Sequence, residues 1–218
     1  MTIKISKIRT ILFDLDGTLL NSARYARVIQ EKLFRNNLGR ELTPAENQRF
    51  RGMATRDILG YIDPERVDDL LDECMRLAKT FLHEATLFPG IAHVLNELSE
   101  IGFFMAVVTS QSAPEVRMMR THLALNQWIK LWLSADDVDR PKPDPEPINT
   151  ALEMIGGKAS ETIMVGDTLN DLEAGNRAGV ITGAALWGVN NTIELLNYTP
   201  DYIFNKPEDI LTLIPHYR

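Results

Sequence analysis

Short continuous apolar runs alternate along this chain with longer stretches whose apolar residues recur every three or four positions. Residues 11–13, 103–108, 129–133, 162–165 and 180–186 form the runs and read as strands buried on both faces. Residues 202–204 read as one more short strand. Helical spacing fills the intervals. Ile91, Val94, Leu95 and Leu98 precede Gly102; a second helix lies around 114–123, and a third over 145–155 is closed by Gly156-Gly157. A fourth covers 169–178 and ends at Gly179, and a last one lies near 207–214. Strand alternating with helix predicts an α/β fold, a doubly wound parallel sheet.

The interval from residue 21 to residue 86 differs, for it holds helix and turn signals throughout. Asn21 or Ser22 can cap a helix in which Tyr25, Val28, Ile29 and Leu33 share a face. Thr43-Pro44-Ala45-Glu46 has the form of a capping box with Pro at the first helical position. Gly52 and Gly60 interrupt the pattern around a short turn of helix at 55–59. Asp63-Pro64 then opens a long helix to about Glu84, with Val67, Leu70, Leu71, Cys74, Leu77, Ala78, Phe81 and Leu82 as its stripe. The expected organisation is a helical domain, residues 21–86, inserted into a core made of residues 1–20 and 87–218.

Composition narrows the classes. The 218 residues, 44% of them apolar, can bury a sizeable core beside a small second domain. A net charge of −7 argues against general binding to nucleic acid or to an acidic membrane. Residues 21–56 run the other way, with 8 basic and 3 acidic side chains, and could draw in an anion. A single cysteine, Cys74, cannot close an intrachain disulfide, fits a reducing compartment, and on its apolar stripe reads as a buried thiol. No apolar signal core follows Lys4, Lys7 and Arg9, and no run nears the ~20 residues needed to span a bilayer. The expectation is a soluble, cytoplasmic protein, monomer or homodimer.

Polar residues cluster where the strands stop. The first strand ends on Asp14-Leu15-Asp16-Gly17-Thr18. Side chains two apart project the same way from an extended chain, and Gly17 lets the backbone turn sharply after them. An isolated Asp-Gly is a common turn. Three more polar sets follow the next strands: Thr109-Ser110, then Arg140-Pro141-Lys142-Pro143-Asp144-Pro145, then Gly166-Asp167-Thr168-Leu169-Asn170-Asp171. Asp167 could cap the helix after it, with Asp171 a first-turn acid on the same helical face. Prolines on both sides of Lys142 make it a fixed charge. In open α/β sheets ligands bind beyond the carboxyl ends of the strands, so the four sets should border one crevice.

Asp-x-Asp-Gly-Thr after an apolar strand resembles the first motif of the haloacid dehalogenase-like hydrolases in their phosphatase form. Thr109 after a strand resembles the second motif, Lys142 in Lys-Pro-x-Pro the third, and Gly166-Asp167 with Asp171 the fourth, so the resemblance covers nearly the whole chain. It implies a Rossmann-like core with a helical cap. It also implies Asp14 as a nucleophile that forms an aspartyl-phosphate, and Asp16 as the acid for the leaving oxygen and then the base for water. Lys142 would screen the repulsion between Asp14 and an anionic phosphate. Thr18, Thr109 and Ser110 would hold phosphate oxygens. Four carboxylates at neighbouring strand ends need a cation, and oxygen ligands select a hard one, Mg²⁺. By resemblance Asp14 and Asp167 bind it directly, Asp16 through its backbone carbonyl and Asp171 in support. Arg51 and Arg56 flank Gly52, where a cap loop of this family meets the active site, and are candidate substrate contacts. Asn21 stands where many relatives carry Asp.

The substrate implied is a small phosphorylated metabolite, on the pattern of phosphoglycolate phosphatases. A phosphosugar mutase of β-phosphoglucomutase type would use the same residues. A non-catalytic binding or regulatory protein on this scaffold would gain nothing from Asp16, and the dehalogenase branch lacks that second acid.

Overall fold

The structure is a computed structural model that describes residues 8–50, 53–188 and 192–214. β1 (Thr10–Phe13) begins the sheet, with Ile11, Leu12 and Phe13 free of solvent contact. Ile11 and Phe13 pack into one apolar cluster and Leu12 into another, which is why this run has no polar face. β2 (Leu20–Asn21) follows, then α1 (Ala23–Leu38), α2 (Pro44–Arg49), α3 (Thr55–Ile62) and α4 (Val67–Thr80). A short 3₁₀ turn at Leu82–Glu84 leads to β3 (Thr86–Leu87). Next come α5 (Ile91–Ile101), β4 (Phe104–Val108), α6 (Ala113–His122), β5 (Leu131–Leu133), α7 (Glu146–Ile155) and β6 (Thr162–Gly166). α8 (Leu169–Arg177), β7 (Ile181–Ala185), α9 (Thr192–Asn197), β8 (Tyr202–Phe204) and a 3₁₀ helix at Pro207–Leu213 complete the described chain.

The sheet is parallel throughout, in the order β5-β4-β1-β6-β7-β8, so β1 lies between β4 and β6. The expected doubly wound α/β architecture is therefore present. The order reverses at β1, which places the crevice over the residues that follow β1, β4 and β6.

Residues 21–86 are not purely helical. β2 and β3 pair antiparallel, Leu20 opposite Leu87 and Asn21 opposite Thr86, so the chain leaves and re-enters the core side by side. Two-residue strands have no period to detect. α1 buries Tyr25, Ile29, Leu33 and Phe34, and it packs with α3 on α4, which buries Leu70, Leu71, Cys74 and Ala78. α2 has the expected capping box on Thr43 and Glu46. Two expectations fail. α3 runs through Gly60, which sits against Val67 within the helix rather than ending it. α4 begins at Val67 and not at Asp63-Pro64, because Asp63 Oδ1 accepts from Glu65 N at 3.0 Å and its carbonyl accepts from Arg66 N at 3.2 Å, which holds these residues in a turn.

Candidate active site

β1 delivers Asp14 to the floor of a cavity of about 880 Å³ between the strand ends and the helices α1 and α3. Lys142 meets it from the loop before α7. The ammonium donates to Asp14 Oδ1 at 2.7 Å, Asp171 Oδ1 at 2.6 Å and Val108 O at 3.0 Å. All three of its hydrogens are thereby used, and the side chain is only 3% exposed. Burial works against the Lys142 charge, but Asp14 and Asp171 outweigh it and hold the pKa above the ordinary lysine value.

Asp171 is the third residue of α8, and its other oxygen accepts from Thr168 N at 3.0 Å and Thr168 Oγ1 at 2.6 Å. Thr168, in extended backbone, is therefore the helix cap. The expectation that Asp167 shares a helical face with Asp171 is corrected, and the alternative of Asp167 as helix cap falls with it: Asp167 lies before the helix, directly after β6. That position lets it face Asp14. Carboxylate oxygens of Asp14, Asp167 and Asp171 lie within 4.8 Å of one another. Gly17, at φ 86°, passes so close that a Cβ there would collide with the Asp167 carboxylate.

Asp16 goes elsewhere. Its Oδ2 accepts from Gln111 Nε2 at 2.8 Å, and Ser22 also bonds to it. The two motif acids thus line one cavity with separate partners. Burial raises the pKa of Asp16, opposed by Ser22 and Gln111. Burial also raises Asp14, with Lys142 pulling it back and Asp171 and Asp16 pushing it up. Asp167 is held well above the ordinary value by burial and by Asp14 and Asp171. Its hydrogen bond is from Thr18 Oγ1 at 3.2 Å, while Lys142 spends its charge on the other two. One ammonium among these buried carboxylates leaves negative charge uncompensated, and an all-oxygen donor set suits a hard divalent cation. The residues fit Mg²⁺.

The other expected residues separate into two groups. Thr109, buried, and Ser110 line the cavity, with Thr109 Oγ1 accepting from Gln111 N at 3.2 Å. Thr18 is fully buried, and its hydroxyl is committed to Asp167 rather than turned to the cavity. Trp187 Nε1 donates to the Thr18 carbonyl at 2.9 Å, which holds that turn in place. Arg56 is half exposed, pairs with Asp68 at 2.9 Å and Asp136 at 3.7 Å, and borders a separate small pocket. Arg51 lies outside the described residues.

Sequence reasoning missed Gln111 and Glu115. Gln111 follows Thr109 by two at the same strand end, a position that could have nominated it. Ser112-Ala113-Pro114-Glu115 is a capping-box pattern, and Glu115 Oε2 does accept from Ser112 N at 2.9 Å and Ser112 Oγ at 2.6 Å. Nothing in that pattern says that Glu115 also faces the cavity and accepts from Thr55 of α3 at 2.8 Å.

The profile of the haloacid dehalogenase-like hydrolases matches residues 11–185, from β1 through β7. The chain belongs to this family. Among curated haloacid dehalogenase-like relatives, the pyrophosphatase PpaX of Anoxybacillus flavithermus is 35% identical over 95% of this chain and 97% of its own length. A phosphoglycolate phosphatase of Aquifex aeolicus is 30% identical over 96% and 98%. A solved structure from Lactobacillus plantarum superposes with a TM-score of 0.85 at 26% identity, covering 95% of this chain and all of that one. The CbbY protein of Rhodobacter sphaeroides, solved with phosphate, shares the fold at a TM-score of 0.80 and 20% identity, over 93% of this chain and 96% of that one.

Proposed function

We propose that this haloacid dehalogenase-like protein is a Mg²⁺-dependent phosphatase that hydrolyses a small phosphorylated metabolite through an aspartyl-phosphate. The observation that carries the reading is the division of labour between the two motif acids, Asp14 on Lys142 and Asp16 on Gln111 at the border of one cavity. A nucleophile must stay ionised and in place, which Lys142 favours. A general acid must be free of the ammonium that holds the nucleophile ionised, and Asp16 pairs instead with the neutral groups of Gln111 and Ser22. The relatives named above, a pyrophosphatase and a phosphoglycolate phosphatase, support phosphate chemistry.

In this reading an Asp14 carboxylate oxygen attacks phosphorus while the bond from phosphorus to the ester oxygen breaks, and the Asp16 proton passes to that oxygen. Water then attacks the phosphorus of the acyl phosphate, Asp16 takes the proton, and orthophosphate leaves as Asp14 is restored. Thr109 and Ser110 hold phosphate oxygens, and Asp171 positions Lys142. Asp14 and Asp167, with the Asp16 carbonyl, would hold the ion, and Asp171 would support it. When bound, Mg²⁺ neutralises phosphate charge and orients the group in line. Residues 21–86 serve as a cap that excludes bulk water from a core made of residues 1–20 and 87–218, in a protein of the cytoplasm.

Phosphate release from a panel of monoesters with and without Mg²⁺ tests this. Acid-quenched enzyme should carry label from ³²P substrate on Asp14, and Asp14→Asn should lose both label and turnover. Turnover undiminished in Asp14→Asn would refute the reading.

A further inference from the structure

A carboxyl that must hand its proton to one particular oxygen has to be held in one direction, and an aspartate side chain swings about two bonds unless a partner fixes it. The geometry points to Gln111 as the positioning residue that aims Asp16 at the leaving oxygen. This rests on the phosphatase reading above. Gln111 Nε2 donates to Asp16 Oδ2 at 2.8 Å, across 95 residues of sequence. The contact joins the ends of two neighbouring strands, since β1 and β4 pair in register with Phe13 opposite Val107.

Lys142 has nothing left to offer Asp16. Its three hydrogens go to Asp14, Asp171 and the Val108 carbonyl. An ammonium on Asp16 would also favour the ionised form of a group that has to donate. A neutral amide fixes direction with less of that bias. The arm that carries the amide is itself tied down. Gln111 N donates to Thr109 Oγ1 at 3.2 Å, and Gln111 O accepts from Ala135 N at 2.9 Å. The next residue, Ser112, is bound through its N and Oγ to Glu115 Oε2, at 2.9 and 2.6 Å, at the start of α6. The Gln111 side chain is buried. Anchored backbone and enclosed side chain leave the amide few rotamers, which is what a positioning group requires. Ser22 adds a second bond to Asp16 from the residue before α1, whereas Gln111 holds it from the sheet.

Esters with different leaving groups separate aim from folding. Benzyl alkoxide leaves poorly without a proton, whereas p-nitrophenolate is stable as an anion and needs little help from an acid. The ratio kcat/KM reports transfer to Asp14 and not the later hydrolysis that both esters share. Gln111→Met keeps the length and removes the donor. With Mg²⁺ present its kcat/KM for benzyl phosphate should fall about 10–100-fold, the scale of a misplacement of about 1 Å, and that for p-nitrophenyl phosphate by less than about threefold. Gln111→Glu keeps the shape, replaces the amide by a carboxyl and should show the same selective loss. Selective loss in either variant sustains the proposal, because an unfolded protein would lose both esters. A fall in both variants that is as large for the p-nitrophenyl ester, or no fall in either, overturns it. A crystal structure of Gln111→Met should show the Asp16 carboxyl displaced, and an unmoved carboxyl overturns the proposal whatever the rates. Native protein that hydrolyses no ester sinks the phosphatase reading; native turnover with equal losses in the variants sinks only the role of Gln111.

Discussion

Replacing Lys142 by Met keeps the length of the side chain and removes its charge and three donors. Each carboxylate contact, at 2.7 and 2.6 Å, corresponds to roughly 6 kcal/mol of attraction at an effective dielectric near 20. Most of that offsets the desolvation of the ions, and breaking a buried pair by removing one partner typically costs about 3–5 kcal/mol. For a chain of this size the loss corresponds to a fall in Tm of roughly 6–20 °C. The measurement is thermal denaturation of Lys142→Met and native protein in EDTA at pH 7. Added Mg²⁺ should recover part of the deficit, because Asp14 and Asp171 then share a cation again. The deficit should also shrink as pH falls, since protonated carboxyls no longer need the ammonium. In the steady state kcat should drop by about 10²–10³, as for loss of one preorganised charge-stabilising donor. A Tm within about 1 °C of native, with kcat unchanged, would refute the placement of Lys142 at the centre of the site.

Burial and the facing acids raise Asp167, so in the metal-free protein this group stabilises least at high pH, and cation binding competes with protons. Mg²⁺ at a hundred times its Kd should raise Tm by roughly 5–11 °C at pH 8 and by clearly less at pH 5, read by thermal melts; equal gains at both pH values would contradict the carboxylate cluster. Glu46 is held below the ordinary carboxylate value by Arg40, Thr43 and Tyr61, so its contribution is present above about pH 4.5 and fades as pH falls below it. Glu46→Gln should therefore melt lower than native at pH 7, with the gap closing toward pH 3. Gly17→Ala forces a side chain into a φ of 86° and against Asp167; it should destabilise by more than about 1 kcal/mol and lower kcat, whereas native-like melting and kinetics would contradict the close approach. Burial pushes the Cys74 thiol up, so an aromatic disulfide reagent should label it slowly in native protein and quickly in urea.

The periodic parts of this molecule were legible without coordinates. Continuous apolar runs with helical stripes between them read as the alternation that yields a parallel sheet, although the run at 129–133, expected to be buried on both faces, became the partly buried edge strand β5. Asp14, Asp16, Lys142 and Asp167 were named by their resemblance to the family's motifs, and their convergence could be expected because each set follows a strand and parallel strands bring their ends together. What the chain alone could not reveal depends on directions of side chains and on contacts between distant segments. Asp167 and Asp171 were expected on one helical face, yet the cap falls on Thr168 and leaves Asp167 free to face Asp14. Thr18 was expected to hold phosphate, but packing turns its hydroxyl to Asp167. The β2–β3 pair has two residues per strand and carries no pattern at all. Glu115 gained its place at the cavity because α6 and α3 meet there, through Thr55, and Gln111 gained its place by reaching back to Asp16. A polar residue can be read from its neighbours in sequence, but the group it faces is chosen by packing between elements many residues apart.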